Sequence, residues 1–196
     1  SADSYEGQIV TRRDIRAITE NKPPLLFNDT GDKRFLIAWD SARINDNSII
    51  GIGELWEDPD TGLNMTIQNC ISLVDVSTKN KTPMRLPEQQ EKFKEILLDY
   101  NGSDKGAMDY ENIAQVVCDA GAAGQIIGGV TDYLFDNWTD KHGNKHYGLI
   151  DRSHKSSETA REKFPDAIDI VKLVEPRTHR NEIFESLGRM VKQGLV

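Results

Sequence analysis

Two short stretches carry an acid where a surface acid is out of place. Phe35-Leu36-Ile37-Ala38-Trp39-Asp40 is an apolar run that closes on a carboxylate and continues as Ser41-Ala42-Arg43-Ile44-Asn45-Asp46-Asn47-Ser48. Gln115-Val116-Val117-Cys118-Asp119 repeats the design ahead of Ala120-Gly121-Ala122-Ala123-Gly124-Gln125. Successive apolar residues of this kind read as a strand buried on both faces. An acid at the tip of such a strand projects from a rigid base at the rim of a sheet. Two such carboxylates brought to the spacing of neighbouring strands, about 4.8 Å, repel unless a divalent cation neutralises them. The chemistry open to Asp40 and Asp119 is therefore the holding of Mg²⁺ or Mn²⁺ for phosphoryl transfer, where one cation activates water and another stabilises the leaving oxygen. Asp46, in the loop after Asp40, either lines the same site or opens an Asx-turn.

The remaining candidates are of other kinds. Gly121-Ala122-Ala123-Gly124-Gln125 has neither the Lys-Ser/Thr of a P-loop nor a dinucleotide pattern, and reads as a tight strand-to-helix turn. Lys141-His142-Gly143-Asn144-Lys145-His146 reads as a hairpin tip, either a solvated loop or a loop that touches DNA. Its histidines lack the further ligands zinc needs. Lys141, His142 and Lys145 are candidate DNA contacts, as are Arg177, His179 and Arg180 at the start of the last expected helix. Cys70 and Cys118 lie in apolar strand-like stretches and read as reduced, buried thiols.

Several elements must position these residues. A short helix is expected over Thr11–Thr19, stopped by Asn21-Lys22-Pro23-Pro24. Strands are expected over 35–40, 49–56 and 65–76, joined by short turns such as Asp58-Pro59-Asp60-Thr61-Gly62, which predicts an antiparallel meander. Pro83 and Pro87 break the chain. Phe93, Ile96, Leu97 and Tyr100 then form one apolar face of a helix over 88–100. A fourth strand over 113–119, a helix over 122–138, a hairpin over 139–151, a short helix from Ser156 to Phe164, a fifth strand over 168–174 and a helix from Thr178 to Gln193 follow. Three meander strands and then alternating helices and strands predict a mixed sheet with helices on its faces.

Composition limits the function classes. The 196 residues suffice for one substantial domain. Hydrophobic residues make up 37% and charged residues 29%, as in a folded soluble domain on the polar side. No apolar run approaches the roughly 20 residues of a membrane span, and no signal-peptide pattern opens the sequence. The net charge of -8 argues at face value against nucleic acid. The distribution is uneven: residues 141–196 hold 11 Lys/Arg against 8 Asp/Glu, whereas residues 1–140 hold 13 against 24. That asymmetry suits cation-masked carboxylates beside a face that meets phosphate, and equally a plain acidic protein.

Assembled, the chain resembles the nuclease domain of the large terminase subunit of tailed double-stranded DNA phages. The resemblance rests on the order and spacing of three stretches. Phe35–Ser48 has an apolar strand, an Asp and small residues before Asp-x-Ser. Val116–Leu134 reads Val-Val-Cys-Asp-Ala-Gly-Ala-Ala-Gly and then a helix. Lys172–Val196 reads as strand, basic helix and Lys-Gln-Gly-Leu-Val. It implies an α/β, RNase H-like (RuvC-like) domain: a mixed five-stranded sheet, made of the meander plus two strands, flanked by helices, with an extra hairpin and short helix before the last strand. Residues 1–34 are then a lead-in or linker, and 35–196 the nuclease domain with its C-terminal end truncated. By position Asp40 matches the first catalytic acid, Asp119 the second, and Asp46 an acid near the site in some members. The implied activity is Mg²⁺- or Mn²⁺-dependent endonucleolytic cutting of concatemeric viral DNA during packaging. The implied partners are double-stranded DNA, an upstream ATPase motor domain, the portal and the small terminase subunit, in the host cytoplasm. No Gly-x-x-x-x-Gly-Lys-Ser/Thr sequence occurs, so this piece is not expected to hydrolyse ATP. The family's third acid falls beyond the segment matching Lys192–Val196, so it is expected to lie outside this sequence, unless Glu182 or Glu185 stands in. The alternatives are another enzyme on the same fold (an integrase, resolvase or exonuclease) and a non-catalytic DNA-binding or docking module.

Overall fold

The computed structural model describes residues 22–40, 48–75, 77, 79, 82–102, 109–119, 136–154 and 158–174, with Asp40, Asp119 and Val174 entering by backbone position alone. The helices expected over Thr11–Thr19 and Thr178–Gln193, and that over 122–138 as far as residue 135, lie outside the described residues.

The meander is formed by β1 (Arg34–Asp40), β2 (Ser48–Asp58) and β3 (Gly62–Asp75). The β2–β3 turn forms because the Asp58 carboxylate accepts the N–H groups of Asp60 and Thr61, while Gly62 takes φ 83°, which a side chain resists. A two-residue strand, β4 (Thr82–Pro83), pairs with the end of β3. Pro83 was expected only to break the chain. It sits on an edge strand, where a missing N–H is tolerated. The next element, α1 (Leu86–Asn101), opens with Pro87 in its first turn, and the Glu88 carboxylate accepts the Arg85 N–H. It ends at Gly102, left-handed at φ 68°, whose N–H closes on the Leu98 carbonyl. Next come β5 (Ile113–Asp119), a hairpin of β6 (Trp138–Thr139) and β7 (Lys145–His146), β8 (Leu149–Ile150), α2 (Glu158–Lys163), β9 (Ile168–Asp169) and β10 (Val171–Val174).

The molecule is α/β with a mixed, six-stranded sheet of order β10-β5-β1-β2-β3-β4. One strand more than expected is present because β4 extends the meander edge. β1 runs antiparallel to β2 and parallel to β5, and β5 runs parallel to β10. The expected fifth strand over 168–174 is split: β9 pairs with β8, β10 pairs with β5, and Ile170 hands the chain over by donating to the Ile168 carbonyl and accepting from the Val116 N–H. Trp138, expected to close a helix, is instead in β6, opposite His146.

Strand alternation divides the sheet into two faces. Leu173, Cys118, Trp39 and Ile50 form a buried row across four strands, with half-buried Ile71 continuing it on β3. This face takes α1: Trp39 stacks on Phe93 at 4.9 Å between ring centres, and Phe35 meets Tyr100 edge-on at 5.1 Å. Phe93, Ile96, Leu97 and Tyr100 are all in the core, as their spacing predicted. On the opposite face Leu36 and Ala38 are half-buried, so β1 is not sealed on both sides as its apolar run suggested. Cys118 is buried, but Cys70 is exposed on that second face, correcting its reading as a buried thiol.

Residues before β1 are tied to this frame. Leu25 donates its N–H to the Gln68 carbonyl, and Asn28 donates its N–H to Asp99 and its side-chain amide to the Lys33 and Tyr100 carbonyls.

Candidate functional site

The topology brings Asp40 and Asp119 together. β1 and β5 are adjacent and parallel, and the last register pair between them is Trp39 with Cys118. Asp40 and Asp119 are the next residue of each strand, so they close two neighbouring strands at one edge of the sheet. At that edge Asp40 lies opposite Ile49 of β2, and Asp119 opposite Val174 of β10. Backbones at this point are about 4.8 Å apart. Two oxygen-donor residues at that spacing suit a hard divalent cation. The local sequence produces this because each strand alternates a buried residue with a half-buried one up to its tip: Ile37, Ala38, Trp39 on β1 and Val116, Val117, Cys118 on β5.

The start of α1 is drawn to the same edge. β3 runs parallel to β1 and ends there, β4 caps it, and α1 then returns toward the opposite edge, its end fixed where Asn112 donates to the Asn101 carbonyl. Of the acids that sequence reasoning passed over, Asp151 is tied to this edge: its carboxylate accepts the N–H of Leu173, which pairs with Cys118, the residue before Asp119. Asp46, Arg177, His179, Arg180, Glu182, Glu185 and the Gly121–Gln125 turn lie outside the described residues. Among the described residues no cluster of three or more His, Cys, Asp or Glu side chains could hold a metal.

Lys141, His142 and Lys145 are not brought to the acid pair. They lie on the β6–β7 hairpin, which packs beside the C-terminal half of α1. Lys94 Nζ stands 4.9 Å from the Trp138 ring centre, and Lys141 is close enough to Asp99 to stabilise its charge. That end of α1 adjoins the start of β5, six residues from Asp119, which is roughly 20 Å of extended chain. A cleft of about 900 Å³ lies there, lined by Asn28, Lys94, Asp99, Trp138, Asp140 and His142 among others. This cleft is therefore at the opposite edge of the sheet from Asp40 and Asp119.

The hairpin has its own electrostatics. The Asp140 carboxylate accepts from the His142 and Asn144 N–H groups and from the Asn144 amide, and lies 2.9 Å from His146 Nε2. His146, chiefly, and those N–H groups hold its carboxyl far below the usual range. His146 was read as part of an exposed loop. It is 1% exposed, stacked against Trp138 at 4.5 Å, with Nδ1 buried and without a partner among the described residues. Burial pushes the Tyr110 phenol up, against a hydrogen bond from the Trp138 indole.

One more acid is buried near β10. Asp151 is 2% exposed; one carboxylate oxygen accepts from the Ser153 N–H and hydroxyl, and the other from the Leu173 N–H at 2.9 Å. Burial alone would raise its pKa, but the Ser153 and Leu173 hydrogen bonds outweigh it and hold the carboxyl below the usual range. Asp151 thus ties the end of β8 to β10 through the Leu173 N–H. No helix among the described residues is long and apolar enough to cross a membrane. No family model matches the chain, and no curated protein and no solved structure is significantly similar to it.

Proposed function

We propose that this chain is a metal-dependent DNA endonuclease domain with an RNase H-like sheet, of the kind found in phage terminase large subunits. The observation that carries the reading is the placement of Asp40 and Asp119 at the ends of adjacent parallel strands. The sheet order supports it too: a three-strand antiparallel meander whose first strand is central, followed by two strands parallel to that first one. In this reading Asp40 and Asp119 hold Mg²⁺ or Mn²⁺, with Asp46 an added acid from the loop after β1. Bound there, divalent cations supply an acidified water and charge neutralisation at the leaving oxygen. The acids position that chemistry against one phosphodiester of double-stranded DNA. Water adds to phosphorus, the P–O3′ bond breaks, and the water proton ends on the 3′ oxygen, leaving a 5′-phosphate and a 3′-hydroxyl. An upstream ATPase motor, the portal and a small terminase subunit belong to the same proposal as partners, and the host cytoplasm as its place of action.

The test is nicking of supercoiled plasmid in Mn²⁺ by the whole chain and by Asp40→Asn and Asp119→Asn. Each substitution removes a charge and keeps the shape, so the variants stay folded by circular dichroism. Activity in both is expected to fall by at least about 100-fold, the scale on which a charge-stabilising group at a transition state acts. Wild-type rates in both variants would sink the proposal. Strand transfer or junction resolution as the main product would move it to another enzyme on the same sheet.

A further inference from the structure

The register of the sheet places one cation beside the acid pair. Lys172 on β10 pairs with Val117, Val117 with Ala38, Ala38 with Gly51, and Gly51 with Cys70. These five residues form a single row across β10, β5, β1, β2 and β3. It lies on the face opposite the α1 core, since the alternate row through Leu173, Cys118, Trp39 and Ile50 is buried. Two residues further along each strand the same face reaches the row of Val174, Asp119, Asp40, Ile49 and Ser72. Lys172 therefore occupies the register position one strand over and one row back from Asp119. Strand geometry makes this a diagonal of roughly 8 Å between backbones, from a 3.3 Å rise and a 4.8 Å strand spacing.

Three observations fit this position to a phosphate. Lys172 is exposed, between buried Val171 and buried Leu173, so alternation holds it on the face opposite the α1 core. Among the described residues it makes no hydrogen bond or ion pair, and its charge helps to stabilise the Asp151 carboxylate, which takes its hydrogen bonds from Ser153 and Leu173. The rest of its row is Val117, Ala38 and Gly51, all half-buried, and exposed Cys70. Ala38 is small, and a Cβ placed on Gly51 would meet nothing within 4 Å. Among the described residues, the part of the row at Gly51 and exposed Cys70 leaves room for a polyanion.

We propose that Lys172 is a phosphate-contacting residue of the site, gripping the DNA backbone beside the phosphodiester that Asp40 and Asp119 address. The proposal rests on the endonuclease reading. Its role is substrate positioning: an ammonium on a four-carbon stem, anchored on a rigid strand, offsets charge that the acidic edge would otherwise repel.

The experiment compares the whole chain with Lys172→Gln, Lys172→Arg and, as a control on an exposed surface, Lys92→Gln. Binding to a short duplex is measured in Ca²⁺ over a range of salt, and plasmid nicking in Mn²⁺. Lys172→Gln is expected to flatten the plot of log K against log salt by about 0.9, the loss of one phosphate contact. It is expected to slow nicking about 10-fold or more, in the range of a lost charge-stabilising contact. Lys172→Arg restores both, and Lys92→Gln changes neither. A Lys172→Gln protein with unchanged slope and rate overturns the proposal. If Asp40→Asn is inactive in the same assay, the endonuclease reading survives that result. If the wild type neither binds nor cuts DNA, both fall.

Discussion

At the scale of single residues, the chemistry that was legible and the chemistry that was not differ in one respect. Asp40 and Asp119 stood out because an acid ending an apolar run is locally anomalous. Asp140 and His146 did not, because their pairing depends on a hairpin that folds the chain back on itself and stacks His146 under Trp138. Asp151 was invisible for the same reason: its partner, the Leu173 N–H, lies far along the chain. Asp151→Ala leaves that N–H buried and unpaired, and is expected to destabilise the fold by about 1–3 kcal/mol in urea denaturation at neutral pH. The pH dependence has a definite sign. The folded carboxyl is depressed below its unfolded value, so its contribution is complete above the ordinary carboxylate pKa of about 3.9 and fades as pH falls through the depressed value. The gap between wild type and Asp151→Ala should hold steady from neutral pH to about 5 and narrow in stronger acid. A gap that widens on acidification would contradict this role.

At the scale of elements, periodicity located the sheet well. β1, β2, β3 and β5 lie within a few residues of their expected bounds because each sends apolar residues into the core shared with α1, and the apolar positions record that. The helix face Phe93, Ile96, Leu97, Tyr100 was readable for the same reason. What failed was set by pairing rather than pattern. Ile168 to Val174 reads as one strand, yet Ile170 divides it between two sheets. Trp138 continues a helical pattern, yet it is in a strand. The clearest energetic claim concerns the joint between α1 and β1. Phe93 is fully buried and stacked on Trp39, the residue just before Asp40. Phe93→Ala is expected to cost about 3–5 kcal/mol, from lost transfer energy and the cavity left behind. Because that cavity opens beneath the strand that carries Asp40, nicking should fall even where urea denaturation shows the protein still folded. Full activity in a folded Phe93→Ala protein would show that the packing under β1 does not set the geometry of its tip.

At the scale of the whole molecule, charge and site belong together. The chain carries a net charge of -8, and 24 of its 32 acids fall within residues 1–140, which include both Asp40 and Asp119. In the proposed site, Asp40 and Asp119 repel each other and the DNA phosphate until a cation is bound. A cation bound there relieves both strains in the folded state alone, since the unfolded chain does not hold β1 beside β5. Binding to the native state must then raise stability. At a hundredfold excess over the dissociation constant the gain is about 2.7 kcal/mol. For a chain of this size that corresponds to a rise of roughly 5–10 °C in Tm. Wild-type protein titrated with Mn²⁺ should show that rise, saturating with concentration, and the Asp40→Asn, Asp119→Asn double variant should not. Ionic strength held constant with NaCl separates site binding from general screening. An equal Tm rise in both proteins would place the cation elsewhere, and no rise in either would remove the metal site on which the nuclease reading depends.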